Sequence, residues 1–197
     1  MIEIILGSMK SGKSGALLDR LDRATYAKRG QKRPKACLVR PATDTREFVT
    51  RKGLEKKYDL FVFEGRLTHH TEELRDYDVI CIDEGQFFPD LGFALFYFSA
   101  FKGKTVHVSC LQGDRNMLPW DAVSKAIPVA DKITQVQAVC EFCGDDKKST
   151  FTFYDGPSSS EQVVIGDGEY HAACAECWVE QSKKKEGCIS LGPLESD

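Results

Sequence analysis

Short apolar strands alternating with amphipathic helices through the first two thirds of the chain predict an α/β fold, a mostly parallel sheet flanked by helices, with a small cysteine-bearing unit after it. Three observations carry that expectation. Five β-rich apolar runs are spaced by helix-length segments, a glycine-rich loop directly follows the first run, and two Cys-x2-Cys pairs occupy the last third. The 197 residues carry 27 Lys+Arg against 30 Asp+Glu, a net charge of −3, with 42% hydrophobic and 29% charged residues. That balance suits one or two globular domains and argues against a collagen, a disordered tail or a polybasic nucleic-acid arm.

In chain order, strands are expected at 2–6, 36–39, 60–63, 79–82 and 105–111, the second bounded by Pro34 and Pro41. Several are unbroken apolar runs, as strands covered on both faces should be. Residues 14–28 place Leu17, Leu18, Leu21 and Ala24 at helical spacing, and 89–102 open with a proline suited to a first helical turn. From about Val136 the texture changes to paired cysteines, a Gly/Pro/Ser stretch at 156–160 and a short strand at 162–165. The expected division is an α/β domain at 1–135 and a small cysteine-bearing domain with its tail at 136–197. No 18-residue apolar stretch is present: the most apolar window, 91–101, is short and is broken by Gly92 and Ser99. With no charged leader ahead of an apolar run at the start, a cytoplasmic location and no membrane partner are expected.

Gly7-Ser8-Met9-Lys10-Ser11-Gly12-Lys13-Ser14 fits the phosphate-loop pattern and lies between an apolar strand and an amphipathic helix, where the mechanism requires it. The glycines let backbone N–H groups close around phosphates, Lys13 supplies charge, and Ser14 can ligate magnesium at a helix start. The sheet is therefore expected to be P-loop NTPase-like. Val79-Ile80-Cys81-Ile82-Asp83 is a second apolar strand ending in a carboxylate, the companion such a loop needs to hold Mg2+ with its ATP. Glu84 follows at once. It could orient water, as in an ATPase, or take a proton from a substrate hydroxyl, as in a kinase; the motif alone does not choose.

Cys140, Cys143, Cys174 and Cys177 form two Cys-x2-Cys knuckles 30 residues apart, the pattern of a closed structural Zn2+ site. Disulfides or redox thiols are the lesser readings in a chain long enough to bury a core, and His171 is a reserve ligand. Cys37, Cys81 and Cys110 lie in expected strands and read as small core residues. A GTPase would need an Asn-Lys-x-Asp base-reading motif, but the only asparagine is Asn116, followed by Met117. A P-loop ATPase with a zinc ribbon acting on nucleic acid is the alternative function; the net charge of −3 argues against it, and no nucleic-acid partner is expected.

These motifs resemble the type II thymidine kinase family. Positions 7–14, Asp44-Thr45-Arg46, Asp83-Glu84-Gly85-Gln86-Phe87-Phe88, Gly103-Lys104-Thr105-Val106 and the two knuckles stand in that family's order, from Ile2 to about Trp178. The resemblance implies transfer of the γ-phosphoryl group of ATP to the 5′-hydroxyl of thymidine, with Glu84 as general base, Lys13 and Arg46 assisting, and Gly85 and Gln86 joining the loop residues at the ATP site. It also implies a nucleoside pocket walled by Met9, Phe87, Leu111 and Trp120, with Thr150 as a base contact. A segment between the knuckles, 162–170, would close over the nucleoside as a lasso through Val164, Gly166 and Tyr170. A homotetramer or dimer and feedback inhibition by dTTP are implied as well. Leu111-Gln112-Gly113-Asp114-Arg115 departs from the family's usual Leu-Asp-Gly-Thr-Phe, Trp120 stands where phenylalanine is common, and Thr152 replaces an arginine. With these departures strict selectivity for thymidine is not implied, and deoxyuridine is expected as a further substrate.

Overall fold

The structure is a computed structural model that describes residues 1–26, 32–44, 58–157 and 169–186, with backbone only at 145–147. Its centre is a sheet whose six described strands all run parallel: β1 (Ile2–Gly7), β2 (Ala36–Pro41), β3 (Asp59–Phe63), β4 (Val79–Ile82), β5 (Thr105–Leu111) and β6 (Lys132–Gln135), in the order β3-β2-β4-β5-β1-β6. Strand side chains alternate between faces, so one apolar run feeds two cores. Ile5, Leu38 and Cys81 pack on one face with Leu17 and Leu21 of helix α1 (Lys13–Ala24). Ile4, Val39, Ile80, Ile82, Val106 and Val108 pack on the other, beneath α2 (Leu91–Phe96) and α3 (Asp121–Ala126). Leu17 and Leu21 are fully buried, each burial stabilising the fold by about 2 kcal/mol.

The expected elements are present with three differences. Helix α1 stops at Ala24, ahead of position 28, where Thr25 Oγ1 donates to the Asp22 carbonyl at 2.8 Å and closes the last turn. The helix expected over 89–102 is α-helical only to Phe96; the wider turn Tyr97–Phe101 completes it, with Lys102 N–H donating to Tyr97 O at 3.2 Å. Strand β6 and helix α3 join the expected list. The strand expected at 162–165 lies outside the described residues.

After Gln135 the chain builds β7 (Ala138–Cys140) antiparallel to β8 (Gly144–Ser149), then β9 (Phe151–Tyr154) antiparallel to β10 (Tyr170–Ala173), and ends its described course in α4 (Ala175–Glu186). The apolar packing here is small: Phe153, Ala173 and Trp178, with Phe151 against them. Trp178 Nε1 donates to Thr152 O at 3.3 Å, and Lys185 Nζ donates to Tyr154 O at 3.0 Å, so α4 clips β9 in place.

Candidate active site

The carboxyl ends of β1, β4 and β5 meet on one edge of the sheet, the place where open parallel sheets bind ligands. Strand β1 runs into the phosphate loop at Gly7, where a Cβ would stand 2.4 Å from Ser11 Oγ and 2.6 Å from Val136 O; only glycine fits. Left-handed backbone at Lys10 (φ 59°) and Gly12 (φ 83°) curls the loop into the start of α1. Lys13 is buried and its Nζ donates to Ser8 O at 2.6 Å, which holds the ammonium inside the loop. Ser8 Oγ is buried and has no hydrogen-bond partner among the described residues. A buried hydroxyl left so is costly, and a phosphate oxygen is the acceptor that the surrounding N–H groups and Lys13 would also suit.

At the end of β4, Asp83 Oδ1 accepts hydrogen bonds from Ser14 Oγ (3.2 Å) and from Ser109 Oγ of β5. Burial pushes the Asp83 carboxyl above its usual range and the neighbouring Glu84 charge adds to this, against the pull of Ser109, Ser14 and Lys13. A buried carboxylate and a hydroxyl converging beside a phosphate loop suit a divalent cation, whose charge would offset that penalty. Glu84 is buried and takes left-handed backbone (φ 51°), a conformation costing a glutamate about 1 kcal/mol or more. Its side chain is held by Gln86, whose Nε2 donates to Glu84 Oε2 at 2.5 Å while its Oε1 accepts from Leu111 N–H at 3.1 Å. At Gly85 a Cβ would meet Val108 Cγ2 at 2.4 Å and Cys110 Sγ at 2.9 Å, so the backbone lies directly on β5. That contact and the Gln86 bridge set the direction of the Glu84 carboxylate.

Phe87 and Trp120 meet edge to face at 5.9 Å, with Leu111 packed against the same core. Met9 is half-buried, and its N–H donates to Thr152 Oγ1 at 3.1 Å; Thr150, two residues earlier, is half-buried too. Tyr170 stacks at 4.8 Å on Tyr154, and Arg115 covers the Tyr154 ring at 4.9 Å. The structure thus places Phe87, Leu111 and Trp120 at one apolar core, sets Tyr170 on the strand paired with β9 opposite Tyr154, and leaves Thr150 in the link between β8 and β9. Arg46, Val164 and Gly166 lie outside the described residues.

Cys140, Cys143, Cys174 and Cys177 converge, their four sulfurs within 4.8 Å of one another and Cys143 Sγ 4.0 Å from Cys174 Sγ. Tetrahedral zinc with bonds of about 2.3 Å would set its sulfurs about 3.8 Å apart. Burial pushes the Cys140 thiol up, but backbone N–H groups of Cys143, Cys174 and Phe142 outweigh it and bring the thiol down to about 6. Cys177 is pushed up to about 12, first by its contact with Cys174 and then by burial. Four bare thiolates therefore cannot share this space, and a metal ion fits it. His171 is turned to Glu141 and Asp155 instead, at 3.3 and 3.1 Å.

The family model described as thymidine kinase matches residues 1–178. The chain belongs to the thymidine kinase family. It is 30% identical over 181 residues to the thymidine kinase of raccoon poxvirus, covering 91% of this chain and 97% of that one. It is 35% identical over 188 residues to the thymidine kinase of Mesomycoplasma hyopneumoniae strain 7448, covering 90% and 94%. The match includes the phosphate loop, Asp83, Glu84 and all four cysteines, and it selects a thymidine kinase enzyme over the ATPase alternative. Two contacts of this candidate site were missed in the sequence, Ser109 on Asp83 and Thr152 on the phosphate loop, and Gln86, expected at the ATP site, braces Glu84. Ser109 carries a usable signal, a fully buried hydroxyl between Val108 and Cys110 toward the carboxyl end of strand β5.

Proposed function

We propose that the chain transfers the γ-phosphoryl group of ATP to the 5′-hydroxyl of thymidine, and of deoxyuridine, yielding the nucleoside monophosphate for pyrimidine salvage. The observation carrying this reading is Glu84, buried beside Asp83 and braced by Gln86 at the mouth of the phosphate loop. Glu84 takes the proton of the 5′-hydroxyl as that oxygen attacks the γ-phosphorus and the bond to the β,γ-bridging oxygen breaks to release ADP, while Lys13 and the loop N–H groups hold the charge of the phosphates. Arg46 is assigned to the same charge. Ser14 and Asp83 would hold Mg2+, which supplies neutralisation of the phosphate oxygens. Met9, Phe87, Leu111, Trp120 and Thr150 receive the base, and Val164, Gly166 and Tyr170 close over it.

The cysteine cluster is read as a structural Zn2+ site: four protein ligands leave no open position for catalysis. Residues 1–135 then form the phosphate-binding domain and 136–197 the zinc domain. A cytoplasmic location, a homotetramer or dimer, and inhibition by dTTP belong to the same reading. A panel of thymidine, deoxyuridine, deoxycytidine and purine nucleosides with MgATP tests it. Thymidine monophosphate should form, and Glu84→Gln should lower turnover about 100-fold or more with ATP affinity unchanged. ADP release without a nucleotide product would overturn the reading.

A further inference from the structure

Glu141, between the two cysteines of the first knuckle, faces away from the sulfurs toward the phosphate loop. Its Oε1 accepts Ala172 N–H at 2.7 Å, and its backbone N–H donates to Ala172 O at 2.9 Å. Its Oε2 accepts Lys10 Nζ at 2.9 Å and lies 3.3 Å from His171 Nδ1, whose other ring nitrogen meets Asp155 at 3.1 Å. The carboxylate is thus fixed by a strand backbone and a histidine before it meets the lysine. Lys10 is the left-handed non-glycine residue of the phosphate loop, and the residue before it, Met9, gives its N–H to Thr152 Oγ1. Two consecutive loop residues are therefore gripped by the metal unit, one through backbone and one through charge. Their partners are 143 and 131 positions away in sequence.

An exposed ion pair between two free side chains contributes little, because both must be ordered to form it. Here the side chains are 45% and 33% exposed, but one partner is already ordered, and the other sits where the loop's curvature is set. We propose that Glu141 is a positioning residue for nucleotide binding: through Lys10 it holds the phosphate loop in the shape that receives the ATP phosphates, making the cysteine knuckle part of the ATP site. This rests on the assignment of positions 7–14 to those phosphates.

Calorimetric titration of MgATP into the wild-type protein, Glu141→Gln, Lys10→Met and the double variant tests it, with metal content measured on each. Glutamine keeps an acceptor for Ala172 N–H and removes only the charge. Each single variant should bind MgATP about threefold or more weakly, the scale of a well-ordered ion pair, with one metal per chain retained. The double variant should be no weaker than the worse single, since both remove one interaction. Unchanged or tighter binding by Glu141→Gln, additive losses in the double variant, or loss of metal from Glu141→Gln would each overturn the proposal. Failure of the wild-type protein to bind MgATP would instead overturn the phosphate-loop assignment beneath it.

Discussion

In the sheet unit, Ile4, Ile5, Leu17, Leu21, Ile80, Ile82 and Leu95 are all fully buried, and helices cover both faces. Past Gln135 the apolar core shrinks to Phe153, Ala173 and Trp178, and the second cluster of that unit is made of cysteine sulfurs. The first region gains its stability from apolar area; the second is too small to do so, and on the proposed reading bonds to a metal at its cysteines make up the difference. The candidate site lies across the seam, taking Lys13, Asp83 and Glu84 from the first region and Thr152 and Glu141 from the second. Two regions of different stability therefore have to be in place together before the site is complete.

Removing the metal is the strongest test of that contrast. Chelation or Cys140→Ser should unfold the small unit and abolish thymidine phosphorylation, while far-UV circular dichroism keeps the signal of the sheet and its helices. MgATP binding should weaken less than nucleoside binding, through the lost contacts to Met9 and Lys10. Loss of the whole fold on chelation would break the comparison. In the other direction, Leu95→Ala should cost about 3 kcal/mol in urea unfolding with metal content unchanged. Smaller again is a pH effect at the far end of the sheet, where Glu3 is buried among Arg20, Thr134, Lys132 and His107. Burial pushes its carboxyl up, but Arg20, Thr134 and Lys132 outweigh burial and hold it at about 2, below its ordinary 4.5. A lowered carboxylate stabilises the fold above pH 4.5 and ceases to as pH falls toward 2. Wild-type urea stability should fall by up to about 3 kcal/mol across that window and Glu3→Gln should show a flatter profile.

The same division decides what could be read from sequence. The loop at 7–14, strand β4 running into Asp83, and the paired cysteines are local patterns; the structure has the loop between β1 and α1, β4 at Val79–Ile82 and the four cysteines together. Strand β6 reads Lys-Ile-Thr-Gln and lies on a sheet edge, mostly exposed, so it carries no apolar run to betray it. Helix α3 spans six residues, too few to display a helical period. The contacts of Thr152 with Met9 and of Glu141 with Lys10 bring together residues more than 130 positions apart, and no local pattern encodes them. Gln86 was placed at the ATP site by its motif, but its amide is used to bridge Glu84 to Leu111, a role that needs β5 beside it.

Strand β1 is the first strand of the chain, and its neighbours in the sheet are β5 and β6, with Ile2 opposite Val106 and Glu3 opposite Lys132. A chain emerging from a ribosome at about 5 to 20 residues per second offers β1 no partner for roughly 5 to 20 s. During that interval Ile4, Ile5 and the phosphate loop wait unpaired while β2, β3 and β4 can already associate. The loop that begins the sequence is therefore among the last parts to acquire its shape, and pairing this remote makes for slow folding.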